Sequence, residues 1–296
     1  MADFKFQAEG RTRADGLTPL LKISRTMSHL FQVGAGSGGM VVLDLLMRDP
    51  RITRVTLIEP DVYKPHNVHR HLFPLSAVGR GKGEFAVEWI RERRPDLAVE
   101  LLPVDLTAAE HQATIEAAVA TCDLGVCAAD NEPAKYHFDH LFRQHRKPWT
   151  LGEVLSGGIG GWVHRFTPDG PCYGCVASHL QREAPGDPAA PAPDYANPGG
   201  AVAETTVPAN RASIDTIAAL HALLTLELLS EQKPEDVTSW LFPLVRVPGV
   251  FDDPFRPYRF RIPRSPTCLI CSTGPAVAGE NLDAALDQAL ARLAHE

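Results

Sequence analysis

The chain has 296 residues, 44% hydrophobic and 22% charged, the balance of a soluble globular protein able to bury a sizeable core. Its 29 basic against 36 acidic side chains leave a formal charge of −7, which disfavours general nucleic-acid binding, because neutralising phosphates calls for a basic surface. No apolar run approaches the ~20 residues of a membrane span, and Met1-Ala2-Asp3-Phe4-Lys5 lacks a secretory pattern, so a cytoplasmic protein bound to neither membrane nor nucleic acid is expected.

Residues 1–29 show no clear period and read as an N-terminal arm. The apolar run 30–33 predicts a buried strand, stopped by Gly34-Ala35-Gly36-Ser37-Gly38-Gly39. Met40, Val41, Leu43, Leu45, Leu46 and Met47 then keep helical spacing to about Asp49-Pro50. A second strand, 55–58, ends in Glu59. Helices over 84–93, 110–120 and 135–146 alternate with strands over 99–104, 124–128 and 149–151. Strands separated by helices imply crossover connections and a doubly wound, mostly parallel, Rossmann-like sheet.

The second half changes character. Residues 157–166 predict a glycine-rich strand or hairpin, and the proline-rich stretch 183–208 a loop. Residues 213–229 predict a long helix whose Ile214, Ile217, Leu220, Leu224 and Leu228 serve the core or a dimer contact. A proline-punctuated β region covers 240–262, and helical spacing returns in a C-terminal helix over 276–296. The expected fold class is α/β, its parallel sheet continuing into an antiparallel β region.

Gly34-x-Gly36-x-x-Gly39 lies after a strand and opens a helix, where backbone N–H groups can meet phosphate. Glu59, at the end of the next strand, can accept hydrogen bonds from ribose hydroxyls. This much says nucleotide without choosing between NAD and ATP. The stretch after Glu59 distinguishes them, since it gathers Asp61, Asn67, Arg70 and Lys82. An oxidoreductase has no evident use for such a group, whereas an enzyme that splits ATP between its α and β phosphates must meet charge growing on pyrophosphate. Asp130-Asn131 follows the strand at 124–128, at the carboxyl edge where ligands bind. A carboxylate there can hold Mg²⁺ against phosphates.

Four of the six cysteines form two Cys-x-x-Cys pairs, Cys172/Cys175 and Cys268/Cys271, spacing that points to a metal in a cytosolic chain. Two such knuckles make a tetrahedral, structural Zn²⁺ site. His66, His69 and His71 are read as lining or flanking the phosphate loop rather than as a second metal site. Cys127 reads as a small core residue and Cys122 as inert.

Taken in order, these residues resemble the ubiquitin-activating superfamily, including the ThiF- and MoeB-type enzymes. Its pattern runs from the glycine loop (Gly34/Gly36/Gly39) through an acid pair (Glu59/Asp61), Asn67/Arg70 and Gly79/Lys82 to Asp130/Asn131 and the two cysteine pairs. The resemblance spans about residues 20–275. It implies a ThiF-type adenylation domain over 30–296, with a nucleotide-binding half at 30–151 and a carrier-binding and zinc half at 152–275. By the same resemblance Glu59 binds the ribose, Asn67, Arg70 and Lys82 grip the triphosphate, and Asp130 positions Mg²⁺. Lys135 falls where the family often has a basic residue. The implied activity is ATP-dependent adenylation of the C-terminal glycine of a ubiquitin-like or sulfur-carrier protein, by a homodimer. Two departures stand out: Glu59 replaces the usual Asp, and Asn67-Val68-His69-Arg70-His71 replaces Asn-Leu-x-Arg-Gln. Some relatives also complete the ATP site with an N-terminal arginine, for which Arg11 and Arg13 are candidates. The competing readings are an NAD-dependent oxidoreductase and a catalytically inactive scaffold partner.

Overall fold

The computed structural model describes residues 28–180, 209–230 and 236–272. The run Ser28–Val33 forms β1 and is buried at every position. It ends at Gly34, whose φ of 91° an L side chain rarely adopts. The chain then enters α1 (Ser37–Leu46), β2 (Ile52–Ile58), α2 (Lys82–Arg93), β3 (Ala98–Leu102), α3 (Gln112–Thr121), β4 (Leu124–Cys127), α4 (Glu132–Gln144) and β5 (Trp149–Val154). There follow β6 (Gly160–Phe166), α5 (Tyr173–His179), α6 (Arg211–Glu227), β7 (Ser239–Pro243) and β8 (Tyr258–Phe260).

All eight strands join one sheet, ordered β3-β2-β1-β4-β5-β6-β7-β8. The first five run parallel, and the last three add antiparallel pairs. The fold is thus the doubly wound sheet with an antiparallel extension that the alternation predicts.

Register explains where a ligand can sit. Val33 pairs with Ile58 on one side and Cys127 on the other. Gly34, Glu59 and Ala128 therefore leave the sheet side by side at its carboxyl edge. Alternation along β1 feeds two cores. Leu30 joins a cluster with Met40, Leu43, Leu46 and Ala218 of α1 and α6, whereas Phe31 joins Phe138, Phe142, Trp149 and Phe166 on the opposite face. The second core is aromatic, with Phe138 and Phe142 stacked at 4.3 Å and Trp149 on Phe166 at 4.0 Å. Burying each such ring is worth about 1.5–3 kcal/mol.

Several boundaries shift from the expected ones. α2 and α4 begin at Lys82 and Glu132, before the first apolar residue of their stripes, because polar first turns carry no hydrophobic period. The 240–262 region resolves into two short strands joined by turns. Of the arm expected over 1–29, Ser28 and His29 instead begin β1, because both are buried in the sheet, and residues 1–27 lie outside the described residues, as do the expected loop at 183–208 and the expected helix at 276–296. Among those described, no helix is long and apolar enough to cross a membrane.

Candidate functional site

A cavity of about 610 Å³ opens at the carboxyl edge, between the glycine loop and α6. It gathers every predicted nucleotide residue: Gly34, Gly36, Gly39, Glu59, Asp61, Asn67, Arg70, Lys82, Asp130 and Asn131, with Lys135 beside them. Residues up to 97 positions apart in sequence meet because β1, β2 and β4 end together.

The glycines do different work. A Cβ on Gly39 would lie 2.4 Å from Gly34 O, so α1 can pack on its own loop only there without a side chain. A Cβ on Gly36 would meet nothing within 4 Å; its place faces open cleft. The first turn of α1 lines the same space, presenting N–H groups with no intrahelical partner to any anion that enters.

Glu59 is 5% exposed. Its Oε2 accepts from Ala35 N at 2.6 Å and its Oε1 from Asp61 N at 2.9 Å. Burial raises its pKa above the ordinary carboxylate value, while these N–H groups and the nearby Lys82 charge pull it back. Each oxygen keeps a second lone pair for a hydroxyl donor. Lys82 reaches Asp61 at 2.6 Å, a pair that stores the cation at the cleft wall. Asn67 is buried, its Oδ1 accepting from Lys64 N at 3.0 Å, which fixes the turn carrying Arg70. Asn131 accepts from Ala134 N at 2.8 Å and so caps α4. That leaves Asp130 exposed on the lip, where a carboxylate can share a hydrated cation with phosphates.

Lys135 is buried and bonds Glu132 and Glu153, each at 2.7 Å. Burial alone would lower its pKa, but the two carboxylates outweigh it and raise the value. Glu132 also accepts from the Tyr173 hydroxyl at 2.8 Å, so the cleft wall is tied to α5.

The four paired cysteines converge. Their sulfurs all lie within 4.8 Å of one another, with Cys172–Cys268 at 3.4 Å and Cys175–Cys271 at 3.5 Å. A tetrahedral site with metal–sulfur bonds of about 2.3 Å needs sulfurs about 3.8 Å apart, so the group fits. Backbone N–H groups of Cys175 and Ser265 point at Cys172 Sγ and Cys175 Sγ, as thiolates require. Burial pushes the Cys172 thiol far up, an effect a bound cation would offset. Among the described residues this is the one group of three or more such side chains placed to hold a metal.

Of the three histidines, His71 lines the cleft and is buried, whereas His66 and His69 do not line it. Sequence reading missed other contributors. Gln32 donates to Gly34 O at 2.9 Å and Gly39 O at 2.7 Å, bracing the glycine loop from below. An amide inside a wholly buried strand was the available signal. Ile214, Ile217 and His221 make α6 a wall of the cleft and not only a core or dimer helix. Glu153 had no signal, since its partners come from distant strands and helices.

The ThiF family pattern matches residues 13–248. The SAMP-activating enzyme E1 of Haloferax volcanii is 29% identical over 150 residues, covering 50% of this chain and 53% of that protein. Ubiquitin-like modifier-activating enzyme 5 of Arabidopsis thaliana is 24% identical over 157 residues, covering 49% of this chain and 36% of its own. The chain thus spans about half the length of the first of these relatives and about a third of the second. Among solved structures, E. coli MccB superimposes with a TM-score of 0.64 at 16% identity, over 88% of this chain and 70% of that one. Its complex with ATP gives 0.60 at 15% identity, over 87% and 70%. These structures share the fold, and with the family pattern covering most of its length, the chain belongs to the ThiF family.

Proposed function

We propose that this protein is an adenylyltransferase that uses Mg-ATP to activate the C-terminal carboxylate of a ubiquitin-like or sulfur-carrier protein ending in glycine. The observation that carries the reading is the single cleft that unites the glycine loop, Glu59, Arg70, Lys82 and Asp130. The names of the Haloferax and Arabidopsis relatives support the class of partner.

In the reaction, a carboxylate oxygen attacks the α phosphorus of ATP. The new O–P bond replaces the bond to the bridging oxygen, and pyrophosphate leaves. No proton moves and no enzyme nucleophile is needed, so catalysis is positioning and charge neutralisation. The first turn of α1 and Gly36 face the phosphates, Glu59 receives the ribose, and Asn67 holds the turn that carries Arg70. Arg70 and Lys82 meet the negative charge that builds on the leaving group. Asp130 would hold Mg²⁺, which would supply further positive charge against the phosphates. The cysteine quartet would hold Zn²⁺ as a closed structural site, fastening the segment after β8 to α5. The protein works in the cytoplasm, as a homodimer.

Calorimetry separates this reading from an oxidoreductase: Mg-ATP should bind and NAD should not. Tight NAD binding without ATP binding would overturn it. A folded protein that binds ATP yet catalyses no exchange with any carrier would instead be a scaffold partner.

The product should leave as the acyl-adenylate. All six cysteines are buried, four of them in the metal group. Burial pushes Cys122 and Cys127 up to about 12, so at neutral pH both stay thiols and poor nucleophiles. Enzyme, Mg-ATP and cognate carrier should therefore give no adduct on a non-reducing gel. A dithiothreitol-sensitive adduct lost in Cys122→Ser or Cys127→Ser would show a thioester step.

A further inference from the structure

His71 is buried in the cleft wall, and both of its ring nitrogens are spoken for by backbone. We propose that His71 is a positioning residue that locks the glycine loop to the segment carrying Arg70, holding the loop's N–H groups where nucleotide phosphates bind. The inference rests on the ATP-binding reading above and adds to it a residue whose ring nitrogens are both engaged by backbone.

Nε2 lies 2.9 Å from Ala35 O, in the middle of the glycine loop, and Phe73 N lies 3.3 Å from Nδ1. A backbone N–H can only donate and a carbonyl can only accept. Nδ1 is therefore the acceptor, and Nε2 carries the proton that reaches Ala35. Burial is the largest influence on the ring and outweighs the Ala35 bond, bringing its pKa down to about 4 and keeping this neutral form at physiological pH. The ring packs on Phe73 at 4.4 Å and meets Tyr63 edge-on at 5.0 Å, so its orientation is set by more than the two bonds.

The same loop residue is held from its other polar atom. Ala35 N donates to Glu59, the ribose-side acid, so Ala35 is clamped between Glu59 and His71. Arg211, the first residue of α6, donates to His71 O at 3.1 Å and ties the clamp to the far wall. The loop has open space at Gly36 and few side chains of its own to order it. Its shape depends on such outside clamps, and His71 sits one residue from Arg70, which it thereby brings into register.

The test is calorimetry of Mg-ATP with the full chain as wild type, His71→Phe and His71→Gln, with thermal melts alongside. Phe fills the ring's volume and offers no donor or acceptor, whereas Gln carries both on one amide. A positioning role predicts that His71→Phe weakens ATP binding about tenfold, the scale of one net hydrogen bond, while His71→Gln recovers it to within about threefold. A packing role predicts the reverse order, with the Phe variant binding normally and the Gln variant weaker. Normal ATP binding in His71→Phe, or a Gln variant as weak as the Phe variant, overturns the inference. If His71→Phe does not fold, the Gln variant decides alone by the same threefold limit. Wild-type protein that folds but binds no ATP overturns the nucleotide reading and this inference with it.

Discussion

Asp130→Ala should lower carrier-dependent ATP–pyrophosphate exchange by about 10²–10³-fold while melting within a few degrees of wild type. The side chain stands exposed on the lip of the cleft, after β4 and before the cap of α4. It contributes nothing to either core, so its loss should be felt by the bound phosphates and not by the fold. Arg70→Ala should give a similar loss, about 3–4 kcal/mol of transition-state stabilisation, because a cation already in place needs no reorganisation when charge builds on the leaving group. The two losses should not add fully, since both residues act on the same phosphates. Exchange rates and melting curves on the two single variants check this. Near-normal exchange in either variant would mean that the reaction takes place elsewhere.

Removing a metal ligand should be the largest effect on stability. Purified protein should carry one zinc per chain, and Cys172→Ser or Cys268→Ser should release it. Structural zinc is worth ~10–16 kcal/mol in small zinc-finger peptides at neutral pH, against ~5–15 kcal/mol for the whole net stability of a domain. The site here joins α5 to residues 268–271, a segment whose Leu269 is fully exposed and whose half-exposed Ile270 rests on Gly174 of α5, so that it has little apolar anchorage. Tm should therefore fall by roughly 10 °C or more. Because Tyr173 follows Cys172 directly and bonds Glu132, ATP binding should also weaken in the variants that still fold. Metal analysis is the check, and reduced, well-folded wild-type protein free of zinc would refute the site.

The parts legible in the sequence are those where one local rule suffices. The glycine loop reads as a strand stop followed by a helix start, and both features stand where a packed α1 demands them. The doubly wound half reads from alternating apolar periods, because the central strands β1 and β4 are buried on both faces, while the edge strand β3 has only exposed and partly buried positions. The cysteine spacing names its own partners. What escaped reading depends on register across the sheet. Gly125, for example, passes as an ordinary strand glycine, yet a Cβ there would strike Phe142 at 2.3 Å, so the aromatic core requires it. Glu153 meets Lys135 and His164 only because β5 and β6 pair antiparallel beside α4. Asn131 was visible as part of a motif, but its capping of α4 required knowing that the helix starts at Glu132. Helix termini carry polar residues without period, which is why the apolar spacing predicts starts two or three residues late at α2 and α4.

The central claim is that the cleft joins the α phosphate of ATP to a carrier's terminal carboxylate, and isotope exchange between pyrophosphate and ATP measures that step alone. Wild-type protein with Mg-ATP should exchange label only when a ubiquitin-like or sulfur-carrier protein with an intact terminal glycine is present. Deleting that glycine, or omitting Mg²⁺, should return the rate to background. Exchange of equal rate without any carrier, or its absence across glycine-ended carriers in protein that demonstrably binds ATP, would contradict the account.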